Sequence, residues 1–240
     1  MAQPPSPPLP EASVSLRRFA DRALLQAAVE ERLQHVLTGS GIDHPAVMLS
    51  GGSTPIPAYL ALASRQLTAA PGLTVLFSDD RYVPSDSEQS NFHQSRPLFT
   101  SLGLKAAQVL RIRTELPLAE ATLDCERRLV QLLSGGRRIT LGLLGLGADG
   151  HTASLFSAAD LERARGRLAL SVHRPDGRDA VSVTPTVLER IEQLIFVVGG
   201  ADKRPALEAL LQRRADLTAW AAVRGCRAVE VWADAAATPA

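Results

Sequence analysis

Residues 139–156 have the sequence ITLGLLGLGADGHTASLF. The first six residues, Ile139–Leu144, form a short continuous apolar run, which is typical of a strand buried on both faces of a sheet. A glycine-rich loop follows directly and contains Asp149 and His151. In sheets of parallel strands, ligands bind beyond the carboxyl ends of the strands. The segment therefore predicts a parallel strand whose following loop carries polar side chains into a ligand site.

Similar apolar runs recur along the chain and alternate with segments of helical periodicity. This alternation predicts an α/β fold with a mostly parallel sheet and helices on both faces. No linker-like stretch interrupts residues 13–234, so we expect a single domain there, with a disordered proline-rich tail at 1–12 and a frayed tail at 235–240. The further strands are predicted at Ala46–Leu49, 74–78, 168–172, 180–183, 193–198 and 228–232, and the helices at 18–37, 55–67, Leu118–Leu133 and 203–213.

The composition of the 240-residue chain excludes several classes of protein. It is 45% hydrophobic and 21% charged, as globular domains are, and no apolar run reaches the roughly 18 residues of a membrane helix. With 26 basic and 25 acidic residues, the chain has no excess charge to attract nucleic acid or an anionic membrane. Cys125 and Cys226 lack metal-binding spacing, and two reduced thiols are favoured over one disulfide. We therefore expect a cytoplasmic protein without a signal peptide, a membrane or a nucleic-acid partner.

Two further predicted strands end in sequences that suit an anion. After Ala46–Leu49, the glycines of Gly51-Gly52-Ser53-Thr54 allow a tight turn, and the helix that follows would offer free N–H groups to a phosphate. An ordinary turn before a capped helix would have the same composition, so both interpretations stay open at this point. After 193–198, Lys203 begins a predicted helix, where a lysine opposes the helix dipole. That small penalty favours a role in binding.

Charged side chains follow the predicted strand 74–78. Asp79, Asp80 and Arg81 would be costly to place in a closed core, which favours an open ligand site. The alternative is a solvated turn with a local pair between aspartate and arginine. Asn91, further along a polar loop, would either hydrogen-bond a ligand or cap a helix.

The glycine-rich loop itself has two interpretations. The glycines of residues 145–150 match the G-x-G-x-x-G pattern of dinucleotide sites, but the acidic residue expected about 20 positions later is missing, because the next predicted strand ends in His173-Arg174. The alternative is a loop that presents His151 to the crevice as a general base or acid, with Asp149 to orient it or to line the site. Only the second interpretation gives both polar side chains a purpose.

Four of these segments together resemble the 6-phosphogluconolactonase family, within the wider glucosamine-6-phosphate isomerase/lactonase group. The resemblance implies a Rossmann-like α/β domain that hydrolyses 6-phospho-D-glucono-1,5-lactone to 6-phosphogluconate, in the oxidative pentose phosphate pathway. We expect no cofactor and no metal, and a monomer or a weak homo-oligomer. The matching segments are LSGGSTP (49–55), DDRYVP (79–84) with Ser90-Asn91, GLGADGHTASLF (145–156) and GGADK (199–203), in the family's order.

The resemblance also implies roles for individual residues. His151 would be the base that takes a proton from the attacking water and returns it to the ring oxygen. The turn at residues 51–54 would hold the phosphate of the substrate, helped by Arg81 and Lys203. The other residues implied to bind or shape the sugar site are Asp79, Asn91 and Asp149.

Some positions depart from the family pattern. Asp80 stands where the family usually has glutamate, and Ala180 stands where many members have an arginine, with Arg178 two residues earlier.

The isomerase/deaminase branch carries a carboxylate five residues beyond the histidine, where this chain has Phe156, so the lactonase is favoured. The other alternative is a sugar-phosphate sensor without catalysis, but such regulators normally carry a DNA-binding module, and the balanced charge offers no surface for DNA.

Overall fold

The computed structural model describes residues 12–39 and 44–239 of the chain. The strands in these residues are β1 (Ser13–Phe19), β2 (Ala46–Leu49), β3 (Thr74–Phe77), β4 (Asp79–Arg81), β5 (Val109–Leu110), β6 (Ile139–Leu144), β7 (Ala169–His173), β8 (Asp179–Val183), β9 (Ile191–Val198) and β10 (Ala228–Asp234). The α-helices are α1 (Arg22–Thr38), α2 (Ile56–Ala63), α3 (Asn91–Ser101), α4 (Leu118–Leu133), α5 (Ala158–Arg163), α6 (Pro185–Leu188), α7 (Arg204–Leu211) and α8 (Thr218–Val223).

Seven of the strands form one sheet in the order β1-β10-β9-β6-β2-β3-β5. Every neighbouring pair in it is parallel; Val47 of β2, for example, pairs with Leu141 of β6, and Leu141 pairs with Gln193 of β9. Parallel neighbours require crossover connections, and the helices between the strands supply them. The predicted parallel sheet is confirmed.

Helices cover both faces of this sheet, as predicted. The face toward α1, α2 and α3 buries Val47 and Val197. The opposite face, toward α4, α7 and α8, buries Met48 and Phe196. Successive residues of one strand therefore enter opposite cores, which explains why the central strands are continuously apolar instead of alternating with polar residues.

A second, antiparallel sheet has the order β4-β8-β7. Its strands β7 and β8 lie close to the predicted positions, but their antiparallel pairing was not predicted. The pairing follows from the connection, residues 174–178, which is far shorter than the dozen or so residues that a parallel crossover needs. The segment Asp79–Arg81, for which a strand was not predicted, forms the third strand of this sheet.

The amino-terminal part of the domain differs from the prediction. The helix predicted at 18–37 begins at Arg22, because Asp21 caps it with a hydrogen bond from the N–H of Leu24 to Oδ1 at 2.8 Å. The residues before it form β1, which was not predicted. This strand is half-exposed and pairs in parallel with β10, so that Leu16 lies opposite Val231.

The two chain ends are partly described. Residues 1–11 of the predicted disordered tail lie outside the described residues, whereas Ala12 is buried and its N–H donates to the carbonyl of Arg224. Near the other end, where we expected fraying, Ala237 is buried and its N–H donates to Oδ1 of Asp234 at 2.8 Å. Among the described residues, no helix has the length and apolar character needed to cross a membrane.

Candidate active site

The carboxyl ends of β2, β6 and β9 and the start of β4 surround a cavity of about 270 Å³. It lies beyond the strand ends, where parallel sheets bind their ligands. Nearly all of the predicted site residues line it, although they come from segments far apart in the sequence. Asp149 does not line the cavity but contacts His151 at its edge. The predicted residues that line the cavity are Gly51, Gly52, Ser53, Thr54, Asp79, Arg81, Asn91, His151 and Lys203.

His151 is oriented by Asp149. The imidazole Nδ1 lies 2.5 Å from Oδ1 of Asp149, and the backbone N–H of His151 donates to the same oxygen at 3.3 Å. Partial burial acts to raise the pKa of the Asp149 carboxyl, but the hydrogen bond and the charge of His151 outweigh burial and lower this pKa. An ionised carboxylate beside Nδ1 places the ring proton there and leaves Nε2 free to accept another proton.

Two further contacts limit the movement of the imidazole. The ring of Phe156 packs against it with 4.4 Å between the ring centroids. On the backbone side, a Cβ at Gly147 would lie only 2.1 Å from Nδ1 of His151, so glycine is required for this close approach. The N–H of Gly147 also donates to the carbonyl of His151 at 2.8 Å and closes the loop. The imidazole is therefore held in place before any substrate binds.

The turn at residues 51–54 has the features of an anion site. Its N–H groups donate no hydrogen bond to any described residue. Pro55 is the cap residue of α2 and makes no side-chain cap, so the hydroxyls of Ser53 and Thr54 are not used to cap the helix. Arg22, which was not predicted, donates to the carbonyl of Ser53 at 2.9 Å and brings a positive charge to the turn. Free N–H groups, two hydroxyls and a cation together suit a phosphate.

Asp79 is buried among hydroxyl groups at the start of β4. Its Oδ1 accepts a hydrogen bond from Ser78 Oγ at 2.9 Å, and its Oδ2 accepts one from Ser154 Oγ at 2.6 Å. Arg174 Nη1 donates to the same Ser154 hydroxyl at 3.0 Å and lies 4.0 Å from Asp79 Oδ2. Arg174 lines the cavity and was not predicted as a site residue.

Asn91 connects two sides of the cavity wall. Its Oδ1 accepts a hydrogen bond from Arg81 Nη1 at 2.9 Å, and its Nδ2 donates to the carbonyl of Asp79 at 2.8 Å. Ser90, and not Asn91, caps α3. Of the two roles left open for Asn91, capping is thus excluded, and the side chain holds the guanidinium of Arg81 at the cavity.

Asp80 is buried behind this wall and holds the segment that carries Asn91. Its Oδ1 accepts from the N–H of Asn91 at 2.7 Å, and its Oδ2 accepts from Ser90 Oγ at 2.9 Å and from the N–H of Phe92 at 3.2 Å. Burial raises the pKa of the Asp80 carboxyl to about 6, although these hydrogen bonds act to lower it.

The variant Asp80→Ala is expected to lose about 2–4 kcal/mol of the free energy of unfolding, because several buried donors lose their acceptor. The folded protein binds the proton of the Asp80 carboxyl more tightly than the unfolded chain does. The free energy of unfolding of the wild type should therefore fall as the pH rises from about 4 to about 6. Chemical denaturation over this pH range measures both effects. The exposed Asp86→Ala serves as the control, and equal stability curves for the two variants would contradict the assignment.

Lys203 enters the cavity from the turn after β9. It is the cap residue of α7 rather than a residue of its first turn. Gly200 has a φ of 100°, which favours glycine, and its N–H donates to both carboxylate oxygens of Asp234 at 3.1 Å. Asp234 therefore fixes the turn that presents Lys203, a role that the sequence did not indicate.

Known proteins are similar to this chain over most of its length. The family model described as glucosamine-6-phosphate isomerases/6-phosphogluconolactonase matches residues 20–232. The curated relatives of this chain include proteins named 6-phosphogluconolactonase. The protein of Thermotoga maritima is 33% identical over 71% of this chain and 76% of its own length. The protein of Pseudomonas putida is 34% identical over 83% of this chain and 84% of its own length. The protein of Homo sapiens is 31% identical over 79% of this chain and 77% of its own length.

Solved structures show the same fold. The crystal structure of 6-phosphogluconolactonase from Thermotoga maritima superposes with a TM-score of 0.79 at 28% identity and covers 92% of this chain and 100% of that one. A monomeric glucosamine-6-phosphate deaminase superposes with a TM-score of 0.77 at 18% identity, covering 93% and 98%, so the fold alone does not separate the two activities. The family match over residues 20–232, with relatives above 30% identity, shows that this chain belongs to the glucosamine-6-phosphate isomerase/6-phosphogluconolactonase family.

Proposed function

We propose that this protein hydrolyses 6-phospho-D-glucono-1,5-lactone to 6-phospho-D-gluconate, in the oxidative pentose phosphate pathway of the cytoplasm. The observation that carries the proposal is the imidazole of His151, held by Asp149 at the same cavity as a turn with free N–H groups. The names of the relatives that match most of the chain support the same reaction. The two cysteines, Cys125 and Cys226, are free thiols, which is compatible with a reducing compartment.

In the proposed reaction, His151 Nε2 takes a proton from a water molecule as the water oxygen attacks the lactone carbonyl carbon. A tetrahedral oxyanion forms, and the ionised Asp149 stabilises the imidazolium. When the intermediate collapses, the bond between the carbonyl carbon and the ring oxygen breaks. The imidazolium returns its proton to the departing ring oxygen, which becomes a hydroxyl group of the open-chain acid, and the base is regenerated.

The phosphate of the substrate would bind away from the reacting carbon. The turn at 51–54 supplies N–H groups and hydroxyls, and Arg81 and Lys203, which line the same cavity, supply positive charge. Binding energy from such a remote group favours the placement of the lactone carbonyl beside the imidazole. No covalent nucleophile is needed, because a lactone is already activated toward water.

The isomerase/deaminase branch of the family is the alternative. Isomerisation and deamination move more protons than lactone hydrolysis does and require further acid–base groups. The isomerase/deaminase branch carries a carboxylate five residues beyond the histidine. This chain has Phe156 at that position, and its ring packs on His151. This contact is apolar and gives the imidazole no second proton-transfer partner, which favours the lactonase.

Parallel assays with the two substrates distinguish these activities. We expect the purified protein to hydrolyse 6-phosphogluconolactone, followed by acid release, and to leave glucosamine 6-phosphate unchanged, followed by ammonia release. Ammonia release without lactone hydrolysis would overturn the proposal in favour of the deaminase. If neither reaction occurs but 6-phosphogluconate binds, the third possibility, a sensor without catalysis, is supported instead.

A further inference from the structure

Arg174 is an inward-facing cation that the mechanism above does not use. It is the first residue of the turn 174–178 between β7 and β8, yet its side chain is only 12% exposed and lines the cavity. A turn residue with a charged side chain normally extends into solvent. The burial of Arg174 is therefore unusual for a turn residue and points to a role inside the cavity.

The guanidinium is held rigidly by its neighbours. Its Nε lies 3.2 Å from Oδ2 of Asp176, and Nη1 donates to Ser154 Oγ. Its Cζ lies 5.1 Å from the ring centroid of Phe156, the same ring that packs against His151. In the described part of the chain, the remaining nitrogen Nη2 donates no hydrogen bond. An arginine fixed through two nitrogens, with the third free, is prepared for an anionic ligand.

The neighbouring strand β8 brings no cation to this side of the cavity. In the antiparallel sheet, Ala180 lies opposite Arg81, and Ser182 lies opposite Asp79. Residues directly opposite each other point to the same face, and Arg81 and Asp79 line the cavity, so position 180 points toward it as well. The alanine at this position brings no charge. Arg174 reaches the same wall from the adjacent turn and supplies the charge that residue 180 does not.

We propose that Arg174 is a substrate-binding residue whose guanidinium pairs with the phosphate group of the sugar-phosphate substrate. The proposal rests on the proposed function, because a lactone carries no charge of its own and the phosphate is then the only anionic group of the substrate. Asp176 and Ser154 act as positioning residues that aim the guanidinium at the cavity. Arg174 thereby adds a third positive charge to the cavity, beside those of Arg81 and Lys203.

Arg178 provides a matched control. It lies in the same turn and contacts the same carboxylate, with Nη2 3.2 Å from Asp176 Oδ2, but its side chain is 43% exposed and does not line the cavity. Its Nη1 instead contacts the side chain of Gln89. Removing Arg178 therefore disturbs the turn as removing Arg174 does, without removing the proposed phosphate ligand.

The experiment measures the Kd of 6-phosphogluconate and of inorganic phosphate by calorimetry, together with kcat and KM for the lactone. Arg174→Ala is expected to weaken both Kd values and to raise KM by about 10- to 100-fold, with a smaller change in kcat. Arg174→Lys, which keeps the charge but not the fork of donors, should fall between wild type and Arg174→Ala. Arg178→Ala should stay within about threefold of wild type.

Two results would overturn the proposal: binding of 6-phosphogluconate by both Arg174 variants as tight as by the wild type, or an equal loss in Arg178→Ala. Failure of the proposed function gives a different pattern. A wild-type protein that hydrolyses no lactone but binds phosphate in an Arg174-dependent way refutes the lactonase and keeps the phosphate ligand. Full lactonase activity that is unchanged in the Arg174 variants keeps the lactonase and refutes the role of Arg174 as a phosphate ligand.

Discussion

Replacing His151 with glutamine is expected to lower kcat by about 10²- to 10⁴-fold while changing the Kd of 6-phosphogluconate by less than about threefold. Glutamine retains hydrogen-bonding capacity but cannot take a proton from water. The groups proposed to hold the phosphate come from other segments and do not depend on the imidazole. Steady-state kinetics on freshly generated lactone and calorimetric titration with the product measure the two quantities separately.

His173→Gln is the matched control for this prediction. His173 also pairs with a carboxylate, with Nδ1 3.0 Å from Asp179 Oδ1, but its side chain is 72% exposed and does not line the cavity. Its kinetics should equal those of the wild type. A His151→Gln variant with normal kcat and a raised KM would mean that the imidazole binds the substrate and does not act as the base.

The second large effect is expected from Gly147→Ala. A methyl group at this position would lie 2.1 Å from His151 Nδ1 and 2.3 Å from Asp149 Oδ1, which is far inside contact distance. The hydrogen-bonded pair must therefore move, and a displacement of about 1 Å at a reacting group costs about 10²-fold in rate. We expect kcat to fall by about this factor, measured in the same lactone assay.

Gly145→Ala adds the same methyl group two residues earlier in the loop. There the nearest atom would be Ser50 Oγ at 3.9 Å, which is an ordinary contact. The kcat of Gly145→Ala should therefore exceed that of Gly147→Ala at least about tenfold. Thermal unfolding of both variants establishes that the loss is not one of folding. If Gly147→Ala is folded and as active as the wild type, the pair of His151 and Asp149 is not required to be rigid.

The sheet and the position of the cavity could be predicted because the central strands are buried on both faces. Their continuous apolar runs, such as Ile139–Leu144, identify the strands, and the carboxyl ends of parallel strands must meet at one edge. Polar residues in the loops after such strands therefore converge. His151 and Lys203, which are far apart in the sequence, line the same cavity for this reason.

Other features depend on pairing that the sequence does not specify. β1 has the sequence SVSLRRF and is half-exposed, so it has neither an apolar run nor a fully buried face. It forms a strand because it pairs with β10. Asp79–Arg81 forms a strand only because β8 lies beside it. The same sheet directs Arg174 inward, and Asp234 becomes a positioning residue only when β10 ends beside the turn at Gly200. Long-range contacts of this kind leave no local pattern.

The central claim is tested most directly by the initial rate of hydrolysis of freshly generated 6-phosphogluconolactone, measured as the excess over spontaneous hydrolysis for the wild type and His151→Gln at equal concentration. A base at position 151 predicts a large excess for the wild type and an excess at least about 10²-fold smaller for the variant. An equal excess in both proteins would contradict the role of His151, and no excess in the wild type would contradict the lactonase itself.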